Sequence, residues 1–452
     1  MSTLPDGVLG RGVATCRPLT VLLLAWGLGL VGTVEVHAQS SAPSTSEQNA
    51  TADTTQNRRA LLRGARAAKS ERLHSDDRAA LESLLLWVEN RRLLQQIGGV
   101  AAEQKRFRVG PTGLGSGSGL GLRVMYVPFP LRRSVDVRAH AAATTRGYWR
   151  VGANIGYRFN SLFAYGYTQL QRRAQRTYYL ELENTSGPND PQRFDITNWS
   201  SGGVLGLQLL PSLSVAASSS YIQYSSAVGP TETVPQDPGI LNPATSTRYL
   251  AVGGHLQLDR RNVTYKQNFG NRFVPTSDNL TDRPLNPESG TLLSLNFTQF
   301  EEVSDVDSDF HQIEAEFQQY VSFFNGYHTF ALRHRTVFTG PEDARVPFYQ
   351  LPYVGGDFTL RGYENFRFRG PPHGLLYNLE YRYKVWHYAD MVFFGDAGKV
   401  FEEVGEWGFT DLRYSYGVGL RFTTTRSTFF RIGVAFDEER TPRFILRFSN
   451  VF

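Results

Sequence analysis

The sequence predicts an all-β transmembrane fold: an antiparallel β-barrel of about sixteen strands with a short N-terminal helical segment. Three observations lead there. From about Gly119 to Phe452, segments of roughly ten residues alternate apolar with polar or small side chains, the period of two that marks strands with one face in lipid. No segment beyond the N-terminal region approaches about 18 uninterrupted apolar residues, which sets helical spans aside. The composition is 13% aromatic with 43 glycines and a single cysteine, so an exported chain would have to be held together without disulfides. A closed barrel does this, because its ladder hydrogen bonds are satisfied within lipid.

Taken in order, residues 1–38 read as a secretory signal peptide. Arg11 and Arg17 precede the apolar run Leu19 to Val34, and Val36-His37-Ala38 supplies a cleavage site before Gln39. The run is short for a membrane span. Cys16 lies before it and is not placed to carry a lipid. Residues 39–72 form a leader, first rich in Ser, Thr, Gln and Asn and then basic. Residues 73–99 read as an amphipathic helix, with Ser75 as N-cap, Asp76 and Asp77 in the first turn, Arg91 and Arg92 late, and Gly98-Gly99 as stop. Its stripe of Leu81, Leu84, Leu85 and Val88 would dock on the periplasmic rim or in the lumen, or would offer 75–96 to a periplasmic partner or the inner leaflet. Residues 100–118 read as a Gly-rich linker. "GLGSGSGLGLR", from Gly113, resembles a phosphate loop only in composition and leads into a strand, so it is expected to be a flexible hinge.

The barrel is expected over 119–452, starting with a first strand near Leu120 to Tyr126. In "FHQIEAEFQQYV", Ile313, Ala315, Phe317 and Val321 would face lipid while Gln312, Glu314, Glu316 and Gln318 face inward. In "RYSYGVGLRF", Tyr414, Tyr416, Val418, Leu420 and Phe422 would face out, and Arg413, Ser415, Gly417, Gly419 and Arg421 in. One face is greasy and the other wet. Short links near Thr145, Pro211, Asn325, His387 and Thr424 are expected on the periplasmic side, with longer outer connections between them. The long segment Asp259 to Gly290 also counts to the periplasmic side. Both termini would then be periplasmic, and the chain would close on "FILRFSNVF", with Phe444, Leu446, Phe448 and Phe452 on one face.

Several chemistries find no footing. The formal net charge is +5 and the basic residues are interleaved along strands, so the clustered footprint of a nucleic-acid binder is missing. His328 and His334 lack metal-ligand spacing. The Ser-rich "VAASSSYIQYSS" lacks the spacing of a nucleophile elbow. No enzyme, no catalytic residue, no metal and no cofactor is expected.

One stretch stands apart. "YVGGDFTLRGYENFRFRGPP", Tyr353 to Pro372, has glycines suited to a phosphate loop, yet the next segment, "GLLYNLEYRYKVW", alternates Tyr377, Leu379, Tyr381 and Tyr383 with Asn378, Glu380 and Arg382 as a strand does. A long loop between two strands thus carries Leu360-Arg361-Gly362-Tyr363.

Four motifs together resemble the barrel of the BamA- and TamA-like outer-membrane insertase and translocase superfamily, also called the bacterial surface antigen family. "TDRPLNPESGTLL", from Thr281, is similar to that family's Asp-Arg-x-x-x-Pro-x-x-Gly turn. "LPYVGGDFTLRGY", from Leu351, resembles its glycine pair and Val-Arg-Gly-Phe loop, with Leu360 and Tyr363 substituted. "YNLEYR" and "VFFGDAGKVF", from Tyr377 and Val392, resemble its next two strands. Phe444, Leu446, Phe448 and the terminal Phe452 resemble its closing-strand signal, from which Asn450 departs. The resemblance spans about the last 200 residues. It implies that the loop folds into the lumen as the sixth outer connection, that Arg361 pairs with Glu380 and Asp396 on the inner wall, that Gly362 permits a tight approach and that Tyr363 packs beside it. No βααββ pattern of a polypeptide-transport-associated (POTRA) domain is found between Gln39 and Gly119, so the chain resembles a short member without one. The implied location is the outer membrane of a Gram-negative bacterium, among phospholipid and lipopolysaccharide. The implied role is insertion or translocation of client proteins or lipids through a seam between the first and last strands, eased by Gly113 to Gly121. The alternative is a structural barrel or an anion-preferring channel, with Arg333, Arg335, Arg382, Arg413 and Arg421 lining it.

Overall fold

The computed structural model describes Gly64 and residues 106–128, 135–179, 192–229, 240–242, 244–262, 287–341, 344–386, 388–423 and 428–447. The signal peptide, leader and helix expected before residue 100 lie outside the described residues, Gly64 excepted, as do Phe448, Phe452 and residues 263–286.

Sixteen strands form one sheet: β1 Phe107–Thr112, β2 Gly121–Tyr126, β3 Val135–Thr144, β4 Trp149–Phe159, β5 Leu162–Tyr178, β6 Gln192–Leu210, β7 Leu213–Val228, β8 Thr247–Asp259, β9 Gly290–Glu302, β10 Phe310–Phe323, β11 His328–Gly340, β12 His373–Trp386, β13 Ala389–Phe401, β14 Arg413–Thr423, β15 Thr428–Phe436 and β16 Pro442–Arg447. Each pairs antiparallel with the next in sequence. The side-chain period of two explains the wall. Along β8, Tyr249, Ala251, Gly253, His255 and Gln257 turn inward and are buried, while Leu250, Val252, Gly254 and Leu256 are exposed to the membrane side. On β14, Ser415 and Arg421 are buried while Tyr414, Tyr416, Val418 and Leu420 are exposed.

The two ends of the sheet are linked by a side-chain contact. Among the described residues no ladder joins β1 to β16, but Arg447 of β16 donates from Nη1 to the carbonyl of Gly115, three residues past β1, at 3.0 Å. Connection lengths set the sides. The links 160–161, 211–212, 324–327 and 387–388 fall at one end with 260–289, and the long links 179–191, 229–246 and 341–372 at the other, the outer one.

Three expectations need correction. The first strand is β1, inside the stretch 100–118 read as a linker, and Leu120 to Tyr126 belongs mostly to the second strand. Gly113 to Gly121 is no loose hinge but an outer turn: Gly115, Gly117 and Gly119 take φ of 101°, 78° and 73°, and Ser118 Oγ bridges the amide of Leu114 and the carbonyl of Gly115, both at 2.9 Å. With one strand added in front, the link at Thr145 moves to the outer side, and the tight inner link is Asn160-Ser161, where Asn160 has φ 52°.

The lumen is not uniformly wet either. At the outer ends of β6 to β10, Phe194, Ile196, Ile222, Tyr224, Tyr249, Phe300 and Phe310 point inward and form an apolar cluster with Val346, Phe348, Tyr349 and Leu351 of the connection 341–372. The strands here run to 19 residues, beyond the roughly 9–11 that cross a bilayer. Their outer ends bury apolar faces because the sixth outer connection turns inward and covers them.

Candidate functional site

That connection leaves β11, makes a 3-10 turn over Phe348–Gln350, and forms a small hairpin in which Tyr353 and Val354 pair with Arg369 and Phe368. Gly355 and Gly356 open the hairpin tip with φ of 107° and 109°. A Cβ at either would lie within 2.7 Å of the returning chain, so the tip closes only with glycine there. The amide of Gly356 donates to the carbonyl of Leu360 at 3.0 Å, and that of Thr359 to Gly356 at 3.0 Å, which turns residues 357–363 into a compact knot. Leu360 is fully buried among Val354, Phe368, Leu376 and Val400, with Tyr363 against the same cluster and edge-on to Phe368 at 5.1 Å.

Arg361 projects from this knot onto β12 and β13 and is 1% exposed. Its Nε and Nη2 meet the two oxygens of Asp396 at 2.8 and 2.6 Å, its Nη1 meets Glu380 Oε1 at 2.6 Å, and its own amide donates to Asp396 at 3.1 Å. The guanidinium lies 3.8 Å from the centre of the Phe394 ring. A planar fork on one carboxylate with a third donor on a second uses arginine's geometry as lysine could not. The wall is built to receive it. Asn378 Nδ2 donates to Asp396 at 2.8 Å and to the carbonyl of Thr359 at 2.9 Å, and Ser415 Oγ reaches Asp396 at 3.3 Å. Arg382 holds the far oxygen of Glu380 at 2.8 Å, with Arg421 at 3.8 Å. Glu380, Asn378 and Arg382 share a face by their spacing on β12, and Asn378 stands opposite Asp396 in the ladder.

Gly362 sits where the knot touches the end of β15. A Cβ there would lie 2.5 Å from the carbonyl oxygen of Phe436 and 2.7 Å from the amide of Asp437. Gly362→Ala should therefore lift the loop from the wall at a cost of about 1–3 kcal/mol. Limited trypsin digestion of the folded barrel is expected to cut the variant within 361–369 and leave the parent intact; equal resistance would mean that the loop tolerates the displacement.

A second contact went unread in the sequence. Asp357, one residue after the glycine pair, accepts from Arg447 and, at 3.0 Å, from Arg443 Nη1. Arg443 also donates to the carbonyls of Arg361 and Tyr363 at 3.2 and 2.6 Å. The loop thus grips the last strand as well as β12 and β13. Alternation was the available signal: Arg443, Ile445 and Arg447 occupy the inner face of β16 opposite Phe444 and Leu446, and only the outer face had been read. Phe444 is exposed on that outer face.

The inward arginines assigned to a channel are engaged with carboxylates. Arg333 meets Glu316 at 2.7 Å, Arg335 meets Glu314 at 2.8 Å, Arg413 meets Glu438 at 3.0 Å, and Arg382 and Arg421 face Glu380. Among the described residues no cluster of His, Cys, Asp and Glu is arranged to hold a metal.

The sequence matches the Omp85 superfamily domain over residues 111–450. The fold is similar to BamA from Haemophilus ducreyi lacking POTRA domains 1–3, at 14% identity and a TM-score of 0.53, covering 76% of this chain and 69% of that one. Weaker likenesses, both at 10% identity, are to CdiB from Acinetobacter baumannii, at a TM-score of 0.44 over 76% of this chain and 56% of that one, and to CdiB from Escherichia coli, at 0.47 over 75% and 61%. Comparison with curated proteins returned no match.

Proposed function

The chain belongs to the Omp85 superfamily of outer-membrane insertases and translocases, and from that premise we propose that it passes a protein or lipid client through a seam between β1 and β16, with loop 353–369 bracing the barrel beside it. The observation that carries this reading is how the two ends of the sheet meet. A side chain, Arg447, spans them and is itself held by Asp357 of the loop. A ladder of backbone hydrogen bonds would add about 0.5–1.5 kcal/mol for each bond and resist opening over its whole length. Among the described residues the junction is made by side chains, and such a junction gives way when one or two of their contacts move. The client, phospholipid, lipopolysaccharide or polypeptide, would meet the seam at the outward-facing Val109 and Phe444.

The channel alternative gains little from the lumen. Its five arginines face four carboxylates, Arg382 and Arg421 sharing Glu380, so part of the fixed positive charge that would select anions is offset.

The test is a disulfide across the seam. Cysteine pairs are scanned along β1 and β16 for one that cross-links, in a background where Cys16 is the sole natural cysteine. Cross-linked barrel is expected to lose its cellular role and to regain it on reduction. Full function with the seam locked would sink the reading in favour of a closed barrel.

A further inference from the structure

The inner wall at β7 to β9 carries a hydrogen-bonded chain that neither the loop nor the seam uses. Ser218 of β7, His255 of β8 and Asn296 of β9 come from adjacent strands and turn toward the lumen. Ser218 Oγ lies 2.8 Å from His255 Nε2, and His255 Nδ1 lies 3.1 Å from Asn296 Oδ1. With the Asn296 carbonyl oxygen accepting from Nδ1–H, Nε2 is the nitrogen that presents its lone pair to the serine hydroxyl. That tautomer, held by a third group, activates a serine nucleophile.

The surroundings fit a reaction better than mere lumen polarity. Gly253 stands opposite Ser218 in the ladder, and a Cβ there would lie 2.7 Å from Ser218 Oγ and 3.1 Å from His255 Nε2. Glycine inside a strand weakens it, and here it leaves room for the Ser218–His255 pair that a Cβ would crowd. Ser220, two residues along the same face, has a buried hydroxyl without a hydrogen-bond partner. It is a donor at hand for negative charge developing on a carbonyl oxygen. On the other flank Val204 pairs with Ser218 and packs with Phe163 and Tyr165, giving an apolar wall.

We propose that Ser218, His255 and Asn296 form an acyl-transfer site in the lumen that takes carboxylic esters with an apolar acyl group. Ser218 Oγ bonds to the acyl carbon as its proton passes to His255 Nε2, and the carbonyl electron pair moves onto oxygen beside Ser220. Collapse expels the alcohol, which takes the proton from His255. A water molecule then attacks the acyl carbon, giving its proton to His255, and release of the acid returns that proton to Ser218. Asn296 is a positioning residue. Spacing in the sequence could not show this, since the three residues are 37 and 41 positions apart and meet only through strand register.

The experiment treats the purified full-length barrel, in micelles and in phospholipid vesicles, with a fluorescent fluorophosphonate and with the smaller phenylmethanesulfonyl fluoride. Hydrolysis of p-nitrophenyl butyrate is followed in parallel. The expected result is a covalent adduct mapped to Ser218, abolished in Ser218→Ala, and a turnover lowered about 10²–10⁴-fold in His255→Gln. Asn296→Ala should lower the rate and move the acidic limb of its pH profile, which loss of packing alone would not do. Heat-modifiable migration confirms that each variant is folded. A folded parent barrel that gives no Ser218 adduct with either reagent, or a Ser218→Ala variant that hydrolyses the ester at the parental rate, would overturn the proposal.

Discussion

Arg361→Ala is expected to lower the stability of the folded barrel by about 3–5 kcal/mol, the cost of stranding one partner of a buried ion pair. The loss falls unevenly on the two carboxylates. Glu380 keeps Arg382 and Arg421, whereas Asp396 is left with the side chains of Asn378 and Ser415 and one backbone amide. Asp396 therefore carries most of the penalty, and the double variant Arg361→Ala/Asp396→Ala should cost less than the sum of the singles, because the second change removes the stranded charge. Arg361→Lys should recover only part of the loss, since an ammonium cannot span both oxygens of Asp396 and reach Glu380 as well. Urea unfolding in lipid vesicles, followed by tryptophan fluorescence, reads the parent and the four variants, Asp396→Ala included. A single variant within about 0.5 kcal/mol of the parent, in the range of ordinary surface substitutions, would mean that the loop does not brace the wall.

The features legible in the sequence are those that local period carries. Alternation placed Glu380 and Asp396 on the inner face of strands whose register now sets Asn378 opposite Asp396. The family resemblance added Arg361, which no periodicity could assign to that wall. β1 escaped because it does not look like a strand: Gly110 and Pro111 interrupt its pattern. Proline is tolerated there because β1 pairs only with β2 among the described residues, and an edge position need not supply every ladder donor. The inward aromatics of β6 to β10 were illegible for another reason. An apolar side chain on the lumen face contradicts the alternation unless something covers it, and the cover, Val346 to Leu351, lies on a connection far away in sequence. Asp357 is similar: its partners, Arg443 and Arg447, are on the last strand, some 90 positions on, and only the inward fold of the loop brings them to it.

Asp357→Asn is the second large effect, and its pH dependence separates charge from shape. One carboxylate compensates two guanidiniums here, Arg447, which also spans to Gly115, and Arg443, which also holds the carbonyls of Arg361 and Tyr363. Asparagine preserves the outline and leaves both cations uncompensated, so a loss of about 3–5 kcal/mol is expected near neutral pH. Burial pushes the Asp357 carboxyl up, but the facing guanidiniums of Arg447 and Arg443 outweigh it and hold the group below the usual carboxylate range. A folded-state pKa below the unfolded value of about 3.9 means that the carboxylate's contribution is fully present above that value and is lost as pH falls through the folded one. The stability gap between parent and Asp357→Asn should then be flat from about pH 8 to pH 5 and narrow only in stronger acid. A gap that stayed constant down to about pH 2 would assign the effect to packing instead of charge. The same substitution removes the carboxylate anchor of Arg447 while leaving Arg443 on the carbonyls of Arg361 and Tyr363 and Arg361 on its own wall. A cysteine pair that joins β1 to β16 in the parent should consequently cross-link more slowly in Asp357→Asn, as the strand that Arg447 holds to Gly115 begins to part from β1.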